Sequence, residues 1–118
     1  NWPRAILYDG EKQVFVSLGS TGVIISIDTT TDQCAVAMTI SRSPRIFGYG
    51  LDRDTIYVTL NDGFGAIRDG SIEYVIGSGR EYTDPETGDV NPTQLTYPMS
   101  FAEVEDGRWV IADRDNNR

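Results

Sequence analysis

Histidine is absent from this chain of 118 residues, and cysteine occurs once, at position 34. The absence of histidine removes the commonest acid–base catalyst and the commonest zinc ligand. A single cysteine excludes an internal disulfide framework, and its place in an apolar run predicts that Cys34 is a small core residue. No apolar run reaches about 18 residues, so no membrane-spanning helix is predicted. The lack of an initiator methionine and of a signal-peptide pattern suits a processed or partial chain and leaves the compartment open.

Negative charge is abundant and unevenly distributed, with 18 acidic against 10 basic side chains and a net charge of −8. Residues 1–60 hold six acids and five bases, whereas residues 61–118 hold twelve acids and five bases. The second half of the chain would therefore repel a phosphate backbone, which disfavours nucleic-acid binding. The simplest consequence of this charge is solubility.

The chain contains three copies of one pattern, in which a proline opens an apolar run, an acidic or glycine turn follows, and a second apolar strand closes the unit. The opening prolines are Pro3, Pro44 and Pro98, so the unit recurs after 41 and then 54 residues. The longer interval contains one stretch rich in glycine, proline and acids, Gly79–Gln94. A period near 40 residues with short strands between turns is typical of the four-stranded blades of a β-propeller.

Alternation of apolar and polar residues between turn signals predicts an all-β chain. We predict a partial β-propeller of about two and a half four-stranded antiparallel blades, and a β-sandwich is the rival. The expected divisions are blade 1 (1–42), blade 2 (43–79), an inter-blade insert (80–95) and the first half of blade 3 (96–118). The predicted strands are 4–8, 13–18, 22–28, 34–41, 45–50, 55–60, 64–68, 71–76, 99–104 and 108–113. The predicted core residues are Phe15, Val16, Ile25, Ile27, Tyr57, Val58, Val110 and Ile111.

The last of these units resembles an NHL repeat. That pattern has a proline-led strand, an Asp-Gly turn, a strand ending in Ala-Asp and a closing Asn-x-Arg; here these are Pro98, Asp106-Gly107, Ala112-Asp113 and Asn116-Asn117-Arg118. The resemblance extends over residues 73–118, and the two earlier units share its spacing and strand pattern alone. It implies a β-propeller, commonly of about six blades. The third blade would then have two strands and an open edge, which the remainder of a longer propeller or other chains should cover.

The closing residues of this unit form a predicted structural motif made of Asp113, Asn116, Asn117 and Arg118. An aspartate after a strand can accept backbone N–H bonds from a turn, and Arg118 could pair with Asp113 or Asp115. The alternation Asp113-x-Asp115-x-Asn117 imitates half of a calcium loop but lacks the glycine and glutamate that complete one, so no metal site is predicted. No cofactor is predicted either.

A candidate binding face combines the insert with the turn after the last strand. In a propeller both connections lie on one face, and loops on a rigid scaffold often carry binding. A solvated loop without a ligand is the alternative for the insert. The candidate residues are Arg80, Glu81, Tyr82, Asp84, Arg114 and Asp115.

The sequence favours a non-catalytic binding or scaffold module that presents this face to a protein or glycan. Ser17, Ser41 and Ser100 have no histidine base to activate them, which disfavours catalysis. Two alternatives stay open. One is an architectural module of a large surface or virion assembly, and the other is part of a metal-dependent propeller hydrolase or lyase.

Overall fold

A computed structural model of the protein describes residues 2–42, 44–77, 81–83, 86–88, 90–92, 95–105 and 107–118. This part of the chain is all-β, its strands pair antiparallel, and its one helical element is a 3₁₀ turn at Arg114–Asn116. No helix in the described segments is long and apolar enough to cross a bilayer.

Two four-stranded sheets, a small two-stranded hairpin and a further two-stranded sheet, called the third sheet below, follow one another along the chain. Strand order within each sheet equals chain order, so every connection is a hairpin between neighbours. The first sheet contains β1 (Pro3–Tyr8), β2 (Gln13–Leu18), β3 (Val23–Asp28) and β4 (Cys34–Thr39). The second contains β5 (Ile46–Tyr49), β6 (Ile56–Thr59), β7 (Gly63–Arg68) and β8 (Ser71–Gly77). A small hairpin of β9 (Glu81–Thr83) and β10 (Val90–Pro92) precedes the third sheet, which contains β11 (Pro98–Glu105) and β12 (Arg108–Asp113).

All ten predicted strands are present, and their ends agree with the prediction to within two residues. Short turns fix these ends. After β1, for example, Oδ1 of Asp9 accepts the backbone N–H groups of Glu11, Lys12 and Gln13 at 2.8, 2.9 and 3.0 Å. An aspartate that accepts bonds from the next few amides stabilises a tight turn, which lets β2 return beside β1. The β9–β10 hairpin was not predicted.

The second sheet lies between the other two and is covered on both faces. On one face Phe47, Val58 and Leu60 are buried and pack against Ala5, Leu7 and Phe15 of the first sheet. On the other face the ring of Phe64 lies 4.8 Å, centre to centre, from both Phe101 and Trp109 of the third sheet. Gly48 permits this approach, because a Cβ there would come within 3.3 Å of the Phe101 ring.

The outer faces of the first and third sheets carry exposed apolar side chains. Strand register places two apolar rows on the outer face of the first sheet. Ile6 and Val36 in these rows are 71% and 65% exposed. On the outer face of the third sheet Val110 is 59% exposed. One row of the first sheet contains Ile6, Val16, Ile25 and Val36. The other row contains Tyr8, Val14, Ile27 and Cys34.

Two burial predictions are wrong in this structure. Val110 was predicted to lie in the core, but it points away from the second sheet and is exposed. Cys34 was predicted to be a core residue, but it is also exposed, on the outer face of the first sheet. Val58 is fully buried as predicted. The other predicted core residues are half-buried, namely Phe15, Val16, Ile25, Ile27, Tyr57 and Ile111.

Candidate functional site

Asp113, the last residue of β12, joins three segments through one buried carboxylate that is 2% exposed. Its Oδ1 accepts the backbone N–H of Thr96 at 2.7 Å. Its Oδ2 accepts the side-chain amide of Asn116 at 2.6 Å and Nε of Arg118 at 3.2 Å. The linker before β11, the end of β12 and the following turn are therefore held together at this point. Charge-assisted bonds of this kind are the stronger ones in proteins.

The 3₁₀ turn after Asp113 is also held by its backbone. Asn117 adopts a left-handed conformation (φ 55°), and its N–H donates to the carbonyl of Arg114 at 3.1 Å. Asp113 and Arg118 form two backbone hydrogen bonds with each other, of 2.8 and 3.3 Å. The N–H of Asp115 donates to the backbone carbonyl of Thr96 at 3.0 Å. The exposed side chains on the turn thus stand on a constrained backbone.

Arg114 and Asp115 form an exposed ion pair on this turn, with 2.6 Å between Nε and Oδ1. The hydrogen bond from Arg114 lowers the pKa of the Asp115 carboxyl below its usual value. The same bond raises the pKa of Arg114. Arg118 forms an ion pair with Asp113, one of the two partners predicted for it.

Tyr97 lies close to two guanidinium groups at the start of the third sheet. The guanidinium carbon of Arg45 is 3.5 Å from the centre of the Tyr97 ring, and that of Arg114 is 4.2 Å away. Both distances are within the range of a cation–π interaction. Tyr97 has a positive φ of 62°, which is uncommon for a residue with a side chain. Its N–H donates to the backbone carbonyl of Asn61 at 2.9 Å. This arrangement links the second sheet to the 114–116 turn.

An arginine-lined cavity of about 300 Å³ adjoins Tyr97. Three of its lining residues, Arg4, Arg45 and Met99, each follow the proline that opens a repeat unit. Register shifts between Pro3 and Ala5 and between Pro98 and Ser100 make Arg4 and Met99 bulge residues. A β-bulge redirects a side chain, so equivalent positions of three units meet at one cavity. Its full lining is Arg4, Arg45, Ile46, Tyr97 and Met99.

The two arginines of this cavity have little polar contact with the described residues. Neither forms an ion pair with a described acid. Arg45 makes a long bond of 3.4 Å from Nη1 to Asn61 and a 3.9 Å contact from Nη2 to the sulfur of Met99. Its Nε is buried without a hydrogen-bond partner in the described part of the chain. The Arg45 guanidinium thus stacks on Tyr97 and makes only long polar contacts with described residues.

A second, apolar cavity of about 630 Å³ shares Arg4 and Ile46 with the first. Its lining comes from β1, β2 and β5. Its remaining lining residues are Pro3, Ala5, Ile6, Val16 and Phe47.

Sequence reasoning singled out the turn but missed the cavity. Arg114 and Asp115 lie on the turn, whereas Arg80 and Asp84 lie outside the described residues. Glu81 and Tyr82 belong to β9, but their side chains are outside the description as well. The expected meeting of the insert with the turn stays a prediction. A signal for the cavity was the dipeptide Pro-Arg at two unit starts, 3–4 and 44–45.

Within the described residues no group of three or more acidic, cysteine or histidine side chains is arranged to hold a metal ion. Comparisons with models of protein families, with curated proteins and with solved structures found no match to this chain. The NHL resemblance therefore stays a prediction from the sequence.

Proposed function

We propose that this chain is a non-catalytic module of a β-propeller, and that it binds a protein or glycan at the face formed by the 114–116 turn. The proposal has two parts. The first is that the three sheets are consecutive blades, as the NHL resemblance implies. The second is that the turn presents Arg114 and Asp115 to a partner.

The orientation of the sheets supports the first part of the proposal, that the three sheets are consecutive blades. Phe15 packs towards the second sheet, and Tyr57 contacts Trp109 of the third sheet at 4.3 Å between ring centres. Val110 stands at the equivalent position of the third unit, on an exposed face. The first two units thus turn the same face towards the sheet that follows, and the third unit leaves that face exposed. A ring of blades requires this repeated relation, and further sheets would cover the exposed outer faces.

Sedimentation of the protein tests the blade arrangement. We expect association into a discrete oligomer or aggregation, because the apolar outer faces favour contact with other sheets. Replacing Val36 and Val110 by lysine should suppress this association. A stable monomer of the unsubstituted protein, with cooperative unfolding and no added partner, would contradict the blade arrangement.

The anchoring of the 114–116 turn supports the second part. The exposed Arg114–Asp115 pair rests on the buried carboxylate of Asp113 and on the stack with Tyr97. A rigid scaffold that presents exposed charged groups loses little conformational entropy on binding.

Binding to a glycan array and to a displayed peptide library tests the second part. We expect ligands that are lost when Arg114 and Asp115 are both replaced by alanine. The matched control is the double alanine variant of Arg68 and Glu73, another exposed ion pair with 3.1 Å between its charged atoms. Failure to find a ligand, or ligands that the 114/115 variant retains, would contradict the proposed face.

A further inference from the structure

We propose that the arginine-lined cavity binds a small organic acid, with its carboxylate at Arg4 and Arg45 and its apolar body against the neighbouring side chains. This inference goes beyond the proposed function, because the cavity is a separate site that shares only Tyr97 with the stack beneath Arg114. It concerns a different ligand, a small carboxylic acid.

Positive charge that forms no salt bridge with a described acid points to an anion. Arg4 and Arg45 line one cavity, yet neither pairs with a described acid in a chain that has 18 acidic and 10 basic side chains. Six of the described basic residues do form such pairs. Asp115 attracts Arg45 without forming a salt bridge to it. Repulsion between Arg4 and Arg45 is therefore not offset by a salt bridge to any described acid, and a bound anion would relieve it.

The planar guanidinium group favours a carboxylate or phosphate over a halide. Arginine offers donors in a rigid fork that matches the two oxygens of these groups. Tyr97 fixes the plane of Arg45 from 3.5 Å. Polar contacts to Asn61 and Met99 hold the other atoms of Arg45 weakly, at 3.4 and 3.9 Å. The Arg45 guanidinium is therefore oriented mainly by its stacking on Tyr97. Its N–H groups make only weak bonds within the protein and are able to form stronger ones with a ligand.

The surroundings favour a single carboxylate joined to an apolar body. Ile46, Tyr97 and Met99 complete the cavity, and the adjoining apolar cavity begins at Arg4 and Ile46. The net charge of −8 repels ligands with several negative charges more strongly than a monoanion. The volume of about 300 Å³ lies at the small end of ligand sites, which suits a molecule of this kind.

Calorimetric titration with phenylacetate tests the inference, with phenylacetamide and inorganic phosphate as comparison probes. We expect saturable binding of phenylacetate and binding at least about tenfold weaker for the neutral amide, since charged hydrogen bonds stabilise by more than neutral ones. Phosphate should also bind more weakly, because it has no apolar body. Equal binding of the acid and its amide, or of phenylacetate and phosphate, would overturn the assignment.

Substitution of Arg4 tests whether phenylacetate binds in this cavity. Arg4 is exposed, so R4Q should fold like the unsubstituted protein. We expect R4Q to bind phenylacetate about tenfold more weakly, as loss of one charged hydrogen bond implies. R45K, which keeps the charge but loses the fork, should also weaken binding. R68Q is the control for charge alone and should bind normally. Undiminished binding by R4Q would overturn the inference.

The two proposals can fail separately. R4Q is expected to retain the protein or glycan ligands of the 114–116 turn, and the double variant at Arg114 and Asp115 is the one expected to lose them. If phenylacetate does not bind the unsubstituted protein, the carboxylate site is wrong while the turn can still bind its partner. If phenylacetate binds but no partner of the turn exists, the proposed face is wrong and the carboxylate site stands.

Discussion

Ser17 and Thr59 perform the same task in two repeat units. Each side chain is fully buried, and each hydroxyl accepts a backbone N–H near the start of the adjacent strand: that of Ala5 at 3.1 Å and that of Ile46 at 3.2 Å. Each residue directly follows a valine of its strand, Val16 or Val58. Each hydroxyl thus satisfies a backbone donor near the point where its sheet begins, which a buried amide requires.

Replacing Thr59 by valine should lower the free energy of unfolding by about 1–3 kcal/mol, because the part-buried N–H of Ile46 would lose this acceptor. Valine has nearly the same shape as threonine, so packing changes little. Urea denaturation measures the effect. Thr59→Ser keeps the hydroxyl and should lose clearly less stability. Equal losses in the two variants would show that the methyl group, and not the hydrogen bond, matters at this position.

Truncating Phe64 should strongly destabilise the contact between the second and third sheets. Its side chain is fully buried, and its ring contacts Tyr57, Phe101 and Trp109. We expect Phe64→Ala to reduce the free energy of unfolding by about 3–5 kcal/mol, since a large cavity would remain. Leu51→Ala in the exposed turn between β5 and β6 is the control and should change it by about 0.5 kcal/mol or less. A small effect at Phe64 would contradict the stacking of these two sheets.

The buried carboxylate of Asp113 should stabilise the end of the third sheet. In Asp113→Ala the N–H of Thr96 and the side chains of Asn116 and Arg118 lose this acceptor. We expect a loss of about 2–3 kcal/mol by chemical denaturation, because bonds to a charged group are stronger than neutral ones. Asp115→Ala removes an equal charge from the exposed position beside it and should destabilise much less. Comparable losses would mean that charge alone accounts for the effect.

The strands were predictable because they depend on local signals. Alternation and turn residues recur in each unit, and an acidic turn such as that of Asp9 is formed by its own neighbours in sequence. The β9–β10 hairpin was missed because its segment is rich in proline, glycine and acids and shows no alternation. The burial of Val110 was predicted wrongly because its equivalents, Phe15 and Tyr57, are covered by a following sheet. Burial at that position depends on which sheet lies next to it, which a strand pattern does not show.

The candidate site was only partly predictable for a similar reason. Arg114 and Asp115 were found because they belong to a motif with a fixed spacing. Arg4 and Arg45 are 41 residues apart, and their convergence depends on how two sheets pack and on a bulge in β1. The left-handed backbone of Tyr97 brings its ring to Arg45, and no local residue preference predicts that conformation.

Stability should fall in acid partly through Asp28, which closes the turn between β3 and β4. The hydroxyl of Thr30 donates to its Oδ1 at 2.6 Å and the N–H of Thr30 at 2.8 Å, and these bonds lower the pKa of the carboxyl below its usual value. A lowered folded-state pKa contributes stability that is fully present above the unfolded pKa, about 4 for aspartate. That contribution is lost as the pH falls through the folded-state pKa.

Asp28→Asn provides the test, because the amide oxygen can still accept the bonds of Thr30 but no longer titrates. We expect the urea midpoint of the unsubstituted protein to fall more between about pH 6 and pH 3 than that of the variant, since only the carboxylate loses its bonds on protonation. Asp54→Asn removes the same charge from an exposed position whose side chain makes no bond to a described residue. That control should keep the acid dependence of the unsubstituted protein. An unchanged pH dependence in Asp28→Asn would show that this turn contributes nothing to acid sensitivity.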